Sequence, residues 1–132
     1  MARNSTGIHL FVYGTLMFPF RNPMHRVMCR YAGWVGNAVM EGKLYNLGAY
    51  PGAILSPGFF IHGELYEIVD APRLFVALDR YEGDEYLREI VEVEKSDGMR
   101  VDAWVYLCRR PVRERRRIVS GDYAAFRGVR RT

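Results

Sequence analysis

Residues 8–16, Ile-His-Leu-Phe-Val-Tyr-Gly-Thr-Leu, constrain this chain more than any other stretch. Five of the first six are β-branched, aromatic or leucine, which is the composition of a strand. Gly14 follows, and glycine takes backbone angles closed to other residues, so the strand is expected to end there in a turn. Backbone N–H groups that leave the sheet around such a glycine can converge on one oxygen, as an oxyanion hole or an anion cradle requires. Taken by itself the pattern is equally that of a plain strand and turn, and the local signal favours the plain reading.

The rest of the chain is short enough that this strand must belong to its core. With 132 residues the expectation is one domain, 1–132, ending in an arginine-rich segment at 109–132. Apolar residues make up 49% and aromatic residues 14%, mostly tyrosine and phenylalanine, which favours a folded globule rich in strands. Residues 1–7 hold no apolar run, and no later run approaches the length that spans a bilayer, so the reading is a cytoplasmic protein without a membrane anchor. Cys29 and Cys108 stand far apart and read as reduced thiols. His9, His25 and His62 have no spacing that suggests a dyad or a metal site, and no metal is expected. Nine arginines between positions 109 and 131 face only Glu114 and Asp122. Such a tail can hold phosphates. No aromatic is interleaved between Arg109 and Arg117 to stack a base, so a solvated, partly mobile end is the preferred reading and nucleic acid is not expected as a partner.

In chain order, residues 17–22 read as a loop. Pro23 then opens a helix over 24–31 whose buried stripe is Val27, Met28 and Tyr31, closed by Gly33 and Gly36. A second extended segment leads through 38–40 to 45. Residues 46–58 hold five glycines and prolines, which argues against any regular element there. A loop of that size is more often functional than idle, so residues 50–53 are a candidate pocket wall. A strand follows over 59–69, and His62 within it is assigned no role. Asp70 as N-cap, Pro72 in the first turn, and Leu74, Phe75, Leu78 and Tyr81 at helical spacing predict an amphipathic helix ended by Gly83. Glu82 therefore closes that helix. There the negative pole of the macrodipole disfavours its charge and is expected to raise its pKa, and with burial it becomes a proton carrier near neutrality. Residues 86–108 form a β-hairpin with its turn at Asp97-Gly98, in which Val101, Ala103, Val105 and Leu107 alternate with Arg100, Asp102, Trp104 and Tyr106. The arginine run beyond Pro111 is either one helical turn or a loop, and residues 120–126 can start a short helix.

Val12-Tyr13-Gly14-Thr15-Leu16, together with Leu78-Asp79-Arg80-Tyr81-Glu82-Gly83 and the following Tyr86-Leu87-Arg88, resembles the γ-glutamylcyclotransferase superfamily. The similarity is closest to its γ-glutamylamine cyclotransferase and AIG2-like members. It covers roughly residues 8–108, with Gly121-Asp122-Tyr123 similar to the family's closing stretch. The resemblance implies an α+β fold, a small mixed β-barrel with short flanking helices, in which turn and glutamate face each other across a pocket. It also implies a reaction that uses no cofactor. The α-amino group of a γ-glutamyl compound attacks its own side-chain amide carbonyl, giving 5-oxoproline and releasing an amine or amino acid. Glu82 is the implied general acid and base. The backbone amides of Gly14, Thr15 and Leu16 receive either the charging amide oxygen or the substrate carboxylate. Tyr13 and Tyr86 line the pocket, and Arg88 joins the substrate-binding set or pairs with an acid nearby. Asp84 and Glu85 either favour a cationic leaving amine or form a solvent-exposed turn. The expected partner is thus a small-molecule γ-glutamyl substrate. Two other readings stand beside it: a binding protein on the same fold whose arginine-rich end contacts nucleic acid or an acidic partner, and a pocket that holds a γ-glutamyl ligand without turning it over.

Overall fold

The computed structural model describes residues 7–130. The reading drawn from residues 1–7 therefore lies, Gly7 apart, outside the described residues. The opening strand β1 (Ile8–Val12) is followed by a 3₁₀ turn at Phe18–Phe20 and by helix α1 (Pro23–Tyr31). Next come β2 (Ala32–Glu41), β3 (Lys43–Asn46), β4 (Pro51–Ile54) and β5 (Phe60–Ile68). Helix α2 (Ala71–Glu82), the hairpin β6 (Tyr86–Lys95) and β7 (Arg100–Cys108), and a closing helix α3 (Tyr123–Phe126) complete the chain. Five strands close a barrel in the order β1-β5-β2-β6-β7. Closure is made by a parallel contact between β1 and β7, Leu10 opposite Trp104, and every other pairing in it is antiparallel. This is the α+β barrel that the resemblance implied.

Local chemistry accounts for the helices. Asn22 caps α1 by accepting the Met24 N–H, and Pro23 occupies the first turn, where its missing donor is not needed. The buried stripe of α1 is Met24, Met28 and Tyr31 rather than the expected Val27, Met28 and Tyr31. Positions 24, 28 and 31 follow the i, i+4, i+7 row, and α1 is short enough to pack along only one such row. Strand β2 begins at Ala32 directly after it, so both glycines lie within a strand, Gly33 in regular register opposite Glu67 and Gly36 at a bulge that follows Trp34. Asp70 caps α2 through the Arg73 N–H, and Gly83, with φ 71°, stops it.

One expected loop is a strand. Pro51–Ile54 pairs with β3, Asn46 opposite Pro51 and Tyr45 opposite Gly52. The proline stands at the strand's first position, where no ladder donor is required. Gly52 answers crowding, because a Cβ there would sit 2.8 Å from Leu47 Cδ1 and 2.9 Å from Cys108 Cβ. The breakers at 51 and 52 thus reflect packing rather than irregular backbone.

The closing stretch differs from expectation as well. The Ile118 N–H donates to the Leu44 carbonyl at 2.7 Å, the Gly121 carbonyl accepts the His62 N–H at 2.8 Å, and Ile118, Tyr123 and Ala124 are buried. Ile118, Gly121, Tyr123 and Ala124 are therefore packed into the body of the fold and not part of a solvated end, while Val119 and Ser120 between them are exposed. Among the described residues no helix is long and apolar enough to cross a membrane.

Candidate active site

The Tyr13–Leu16 turn and the end of α2 open on one cleft of about 440 Å³, a size typical of small-ligand sites. Tyr13, Gly14, Thr15, Leu16, Glu82 and Tyr86, all expected site residues, line it. So do Tyr50 and Pro51 of the expected pocket wall.

The turn is fixed from several sides while its own donors stay free. The Met17 N–H donates to the Gly14 carbonyl at 3.0 Å. His25 Nδ1 donates to the Leu16 carbonyl at 2.7 Å, and the Phe18 N–H donates to Glu64 Oε1 at 2.9 Å. The N–H groups of Gly14, Thr15 and Leu16 find no acceptor among the described residues. Gly14 lets the turn lie against β4, since a Cβ there would meet Pro51 Cγ at 2.8 Å and Cδ at 3.0 Å. Gly14→Ala must push the Pro51 ring or the turn aside, and is expected to lower stability by about 1–3 kcal/mol. The urea midpoint measures this, and an unchanged midpoint would mean the contact is slack.

Across the cleft, Glu82 is half-buried and its carboxylate receives no donor from the described residues. Burial pushes it up to about 7. The direction matches the sequence expectation, and its cause is desolvation by burial. Tyr13, Tyr86 and Tyr106 surround it with aromatic surface, and burial raises their own hydroxyls first, with Glu82 adding to the effect. Those hydroxyl protons are already committed: Tyr13 donates to the Tyr106 carbonyl at 2.7 Å, Tyr86 to the Pro51 carbonyl at 2.6 Å, and Tyr106 to Asp79 Oδ1 at 2.6 Å. The Tyr13 oxygen in turn accepts the Ala53 N–H at 3.1 Å. A continuous set of hydrogen bonds thus joins the last turn of α2 to the opening turn and to β4.

Arg88, expected either to join the substrate-binding set or to pair with an acid nearby, does not line the cleft and makes the acid pair. Its guanidinium holds Asp79 through two bonds, at 2.9 and 3.0 Å, and lies 3.8 Å from the Phe75 ring centroid and 4.8 Å from that of Trp104. The Arg88 bonds, with Tyr106, hold the Asp79 carboxyl below its ordinary range, so Arg88 anchors the helix end that carries Glu82. Asp84 is exposed, while Glu85 accepts from Tyr50 at 2.7 Å and pairs with Arg110 at 3.4 Å.

Three features were not read from the sequence. Alternation sets Tyr106 on the same face as Arg100 and Asp102, yet at Trp104 and Tyr106 that face packs against α2. Glu64 is 3% exposed and also accepts the Tyr66 hydroxyl at 2.9 Å; residues 63–66 of β5 are buried on both faces, so alternation gives no warning. His25 and Cys29 form a contact at 3.3 Å, and their i, i+4 spacing on α1 was the available signal. Burial pushes the Cys29 thiol up, the opposite of an activated nucleophile.

The comparisons with known proteins agree with this geometry. Residues 10–125 match the family described as Gamma-glutamyl cyclotransferase, AIG2-like. The chain is 32% identical over 123 residues to the gamma-glutamylcyclotransferase family protein YtfP of Escherichia coli, covering 88% of this chain and 96% of that protein. Its fold matches YkqA from Bacillus subtilis with a TM-score of 0.73 at 26% identity, over 92% of this chain and 41% of YkqA, so it spans well under half of that relative. An AIG2-like protein from Mus musculus shares the fold at a TM-score of 0.67 and 22% identity, over 96% of this chain and 95% of that one. With its turn and its buried acid on facing walls of one cleft, the chain belongs to the γ-glutamyl cyclotransferase, AIG2-like family.

Proposed function

We propose that this chain is an enzyme that cyclises a γ-glutamyl amine or amino acid to 5-oxoproline, with Glu82 as general acid and base. The observation that supports this most directly is a half-buried carboxyl, poised near neutral pH, that shares one cleft with three backbone N–H groups that find no acceptor among the described residues.

The substrate folds so that its α-amino nitrogen stands against its own side-chain amide carbon, and closing a five-membered ring makes the attack intramolecular. The ammonium form cannot attack. Glu82 as carboxylate takes its proton, the new C–N bond forms, and negative charge moves to the amide oxygen. When the old C–N bond breaks, Glu82 returns that proton to the leaving nitrogen; the second proton, shed by the ring nitrogen after attack, passes through Glu82 in the same way, so the amine departs as an ammonium ion. Among the described residues no lysine, arginine or histidine lines the cleft. The amides of Gly14, Thr15 and Leu16 are therefore the donors for the substrate's anionic oxygens. Tyr13 and Tyr86 are walls rather than proton carriers, because their protons are held by backbone carbonyls.

The test is release of 5-oxoproline from a panel of γ-glutamyl amines and γ-glutamyl amino acids; none released from any of them would overturn the reading. A pH profile adds a second check. The carboxylate form is the active one and it predominates above its midpoint, so kcat/KM is expected to fall as pH drops through about 7. A profile that stays flat down to the ordinary carboxylate range would remove Glu82 from this role.

A further inference from the structure

The arginine-rich segment is not a detached tail. Its first residues are fastened to the cleft edge: the Arg109 N–H donates to the Glu85 carbonyl at 2.8 Å, and the Arg110 guanidinium lies 3.4 Å from the Glu85 carboxylate, itself part of the cleft lining. From there the segment crosses to the β3 side of the β3–β4 ribbon. Tyr45 donates to Glu114 at 3.1 Å and forms a bridge with Arg117, and Cys108 packs against Gly52, next to the cleft residue Pro51.

Six arginines stand against one glutamate between Arg109 and Arg117. Two are occupied: Arg110 by Glu85, and Arg117 by Glu114 at 3.5 Å and by the Phe59 ring at 4.4 Å. The side chains of Arg109, Arg113, Arg115 and Arg116 are exposed and make no ion pair with any described residue. Four guanidinium groups within eight residues, none ion-paired to a described residue, repel one another, and they form a field that attracts an anionic chain. The cleft itself presents the opposite sign, through Glu82 and Asp84, so an acidic group on the leaving side is pushed out of the cleft and towards the arginines.

We propose that residues 109–116 are a docking strip for the leaving group, and that this leaving group is an acidic peptide chain joined through its amino terminus to the γ-glutamyl unit. The inference rests on the cyclisation reading above. A peptide fits because cyclisation requires a leaving amine, which its amino terminus supplies. A nucleic acid fits less well, because no aromatic side chain stands between Arg109 and Arg117 to stack a base.

The experiment compares two substrates that differ only beyond the first alanine: γ-glutamyl-alanine followed by three alanines, and γ-glutamyl-alanine followed by three glutamates. At low salt kcat/KM is expected to favour the acidic tail by about tenfold, mainly through KM, and the preference should shrink at about 0.3 M salt. In an Arg113→Ser, Arg115→Ser, Arg116→Ser variant the ratio of the two kcat/KM values should approach one. Equal values at low salt in the natural chain would overturn the strip while leaving the cyclisation intact. Binding of the free acidic peptide, followed by fluorescence anisotropy, is read without any turnover. Arginine-dependent binding with no 5-oxoproline from either substrate would support the strip and count against the cyclisation reading. A single-stranded oligothymidylate of equal charge that binds more tightly than the peptide would overturn the peptide assignment.

Discussion

Glu82→Gln is expected to abolish 5-oxoproline formation and, at pH 8, to raise the melting temperature of the same protein. The first effect follows from chemistry: an amide neither takes the ammonium proton nor returns it to the leaving nitrogen, and general acid–base catalysis supplies roughly 10²–10⁴ in rate. The second follows from linkage. In the fold the carboxyl titrates at about 7 against an ordinary value of 4.5, because burial disfavours the charge. The folded state therefore binds the proton more tightly than the unfolded chain, and stability rises as pH falls from about 7 towards 4.5. Above 7 the fold carries a poorly solvated carboxylate with no donor, at a cost of at most about 3 kcal/mol for a shift of this size. Glutamine carries no charge and removes that cost along with its pH dependence. Melts of both proteins at pH 5 and pH 8, beside turnover assays, give the comparison. A variant that keeps natural turnover, or that melts below the natural protein at pH 8, would show that Glu82 is neither the proton carrier nor a strained charge.

What the sequence made legible was local. β1 and its glycine turn, the Asp70 and Gly83 caps that set the length of α2, and the Asp97-Gly98 hairpin all depend on residues within a few positions of one another, and each stands where expected. The placement of Glu82 at a helix end was legible for the same reason. Its burial was not, because Tyr13, Tyr86 and Tyr106 reach it from three different strands or turns. The strand at Pro51–Ile54 was hidden by its own breakers, whose reasons lie in Leu47 and in the distant Cys108. For Arg88 the motif left open whether it binds substrate or pairs with an acid nearby, and spacing did not name the acid. Its partner Asp79 lies nine positions earlier, and only the packing of α2 over β6 and β7 joins them. The same holds for Glu64 in part: Tyr66 donates from two positions along the same strand, but the other donor, the Phe18 N–H, comes from the distant 3₁₀ turn. Contacts that cross the barrel decide the fine arrangement of the site, and residue spacing along the chain does not report them.

Gly121→Ala is the substitution expected to damage the fold most. Its φ of 68° is a conformation that side chains rarely adopt, at about 1–3 kcal/mol for a non-glycine residue. A Cβ at this position would also overlap the Phe60 carbonyl oxygen. Both partners are backbone, so no rotamer change relieves the overlap, and either β5 or the closing stretch has to move. Moving them breaks the bond from the His62 N–H to the Gly121 carbonyl and strains that from the Gly121 N–H to the Ile118 carbonyl at 3.0 Å. Together these place the loss at about 3–5 kcal/mol, a large share of what a domain of this size has to spare. Gly128→Ala is the built-in comparison. Its φ is 69° and nothing lies within 4 Å of the added carbon, so it bears the conformational cost alone, roughly 1 kcal/mol. Denaturant midpoints of the two variants separate close approach from backbone preference, and equal midpoints would mean that the contact with Phe60 is not tight. The damage is expected to reach the cleft. Tyr123, two residues beyond Gly121, stacks on Phe20 at 5.3 Å, and Phe20 ends the 3₁₀ turn that follows the Gly14 amides. A partly folded Gly121→Ala protein should accordingly lose turnover at denaturant concentrations where its barrel strands still hold.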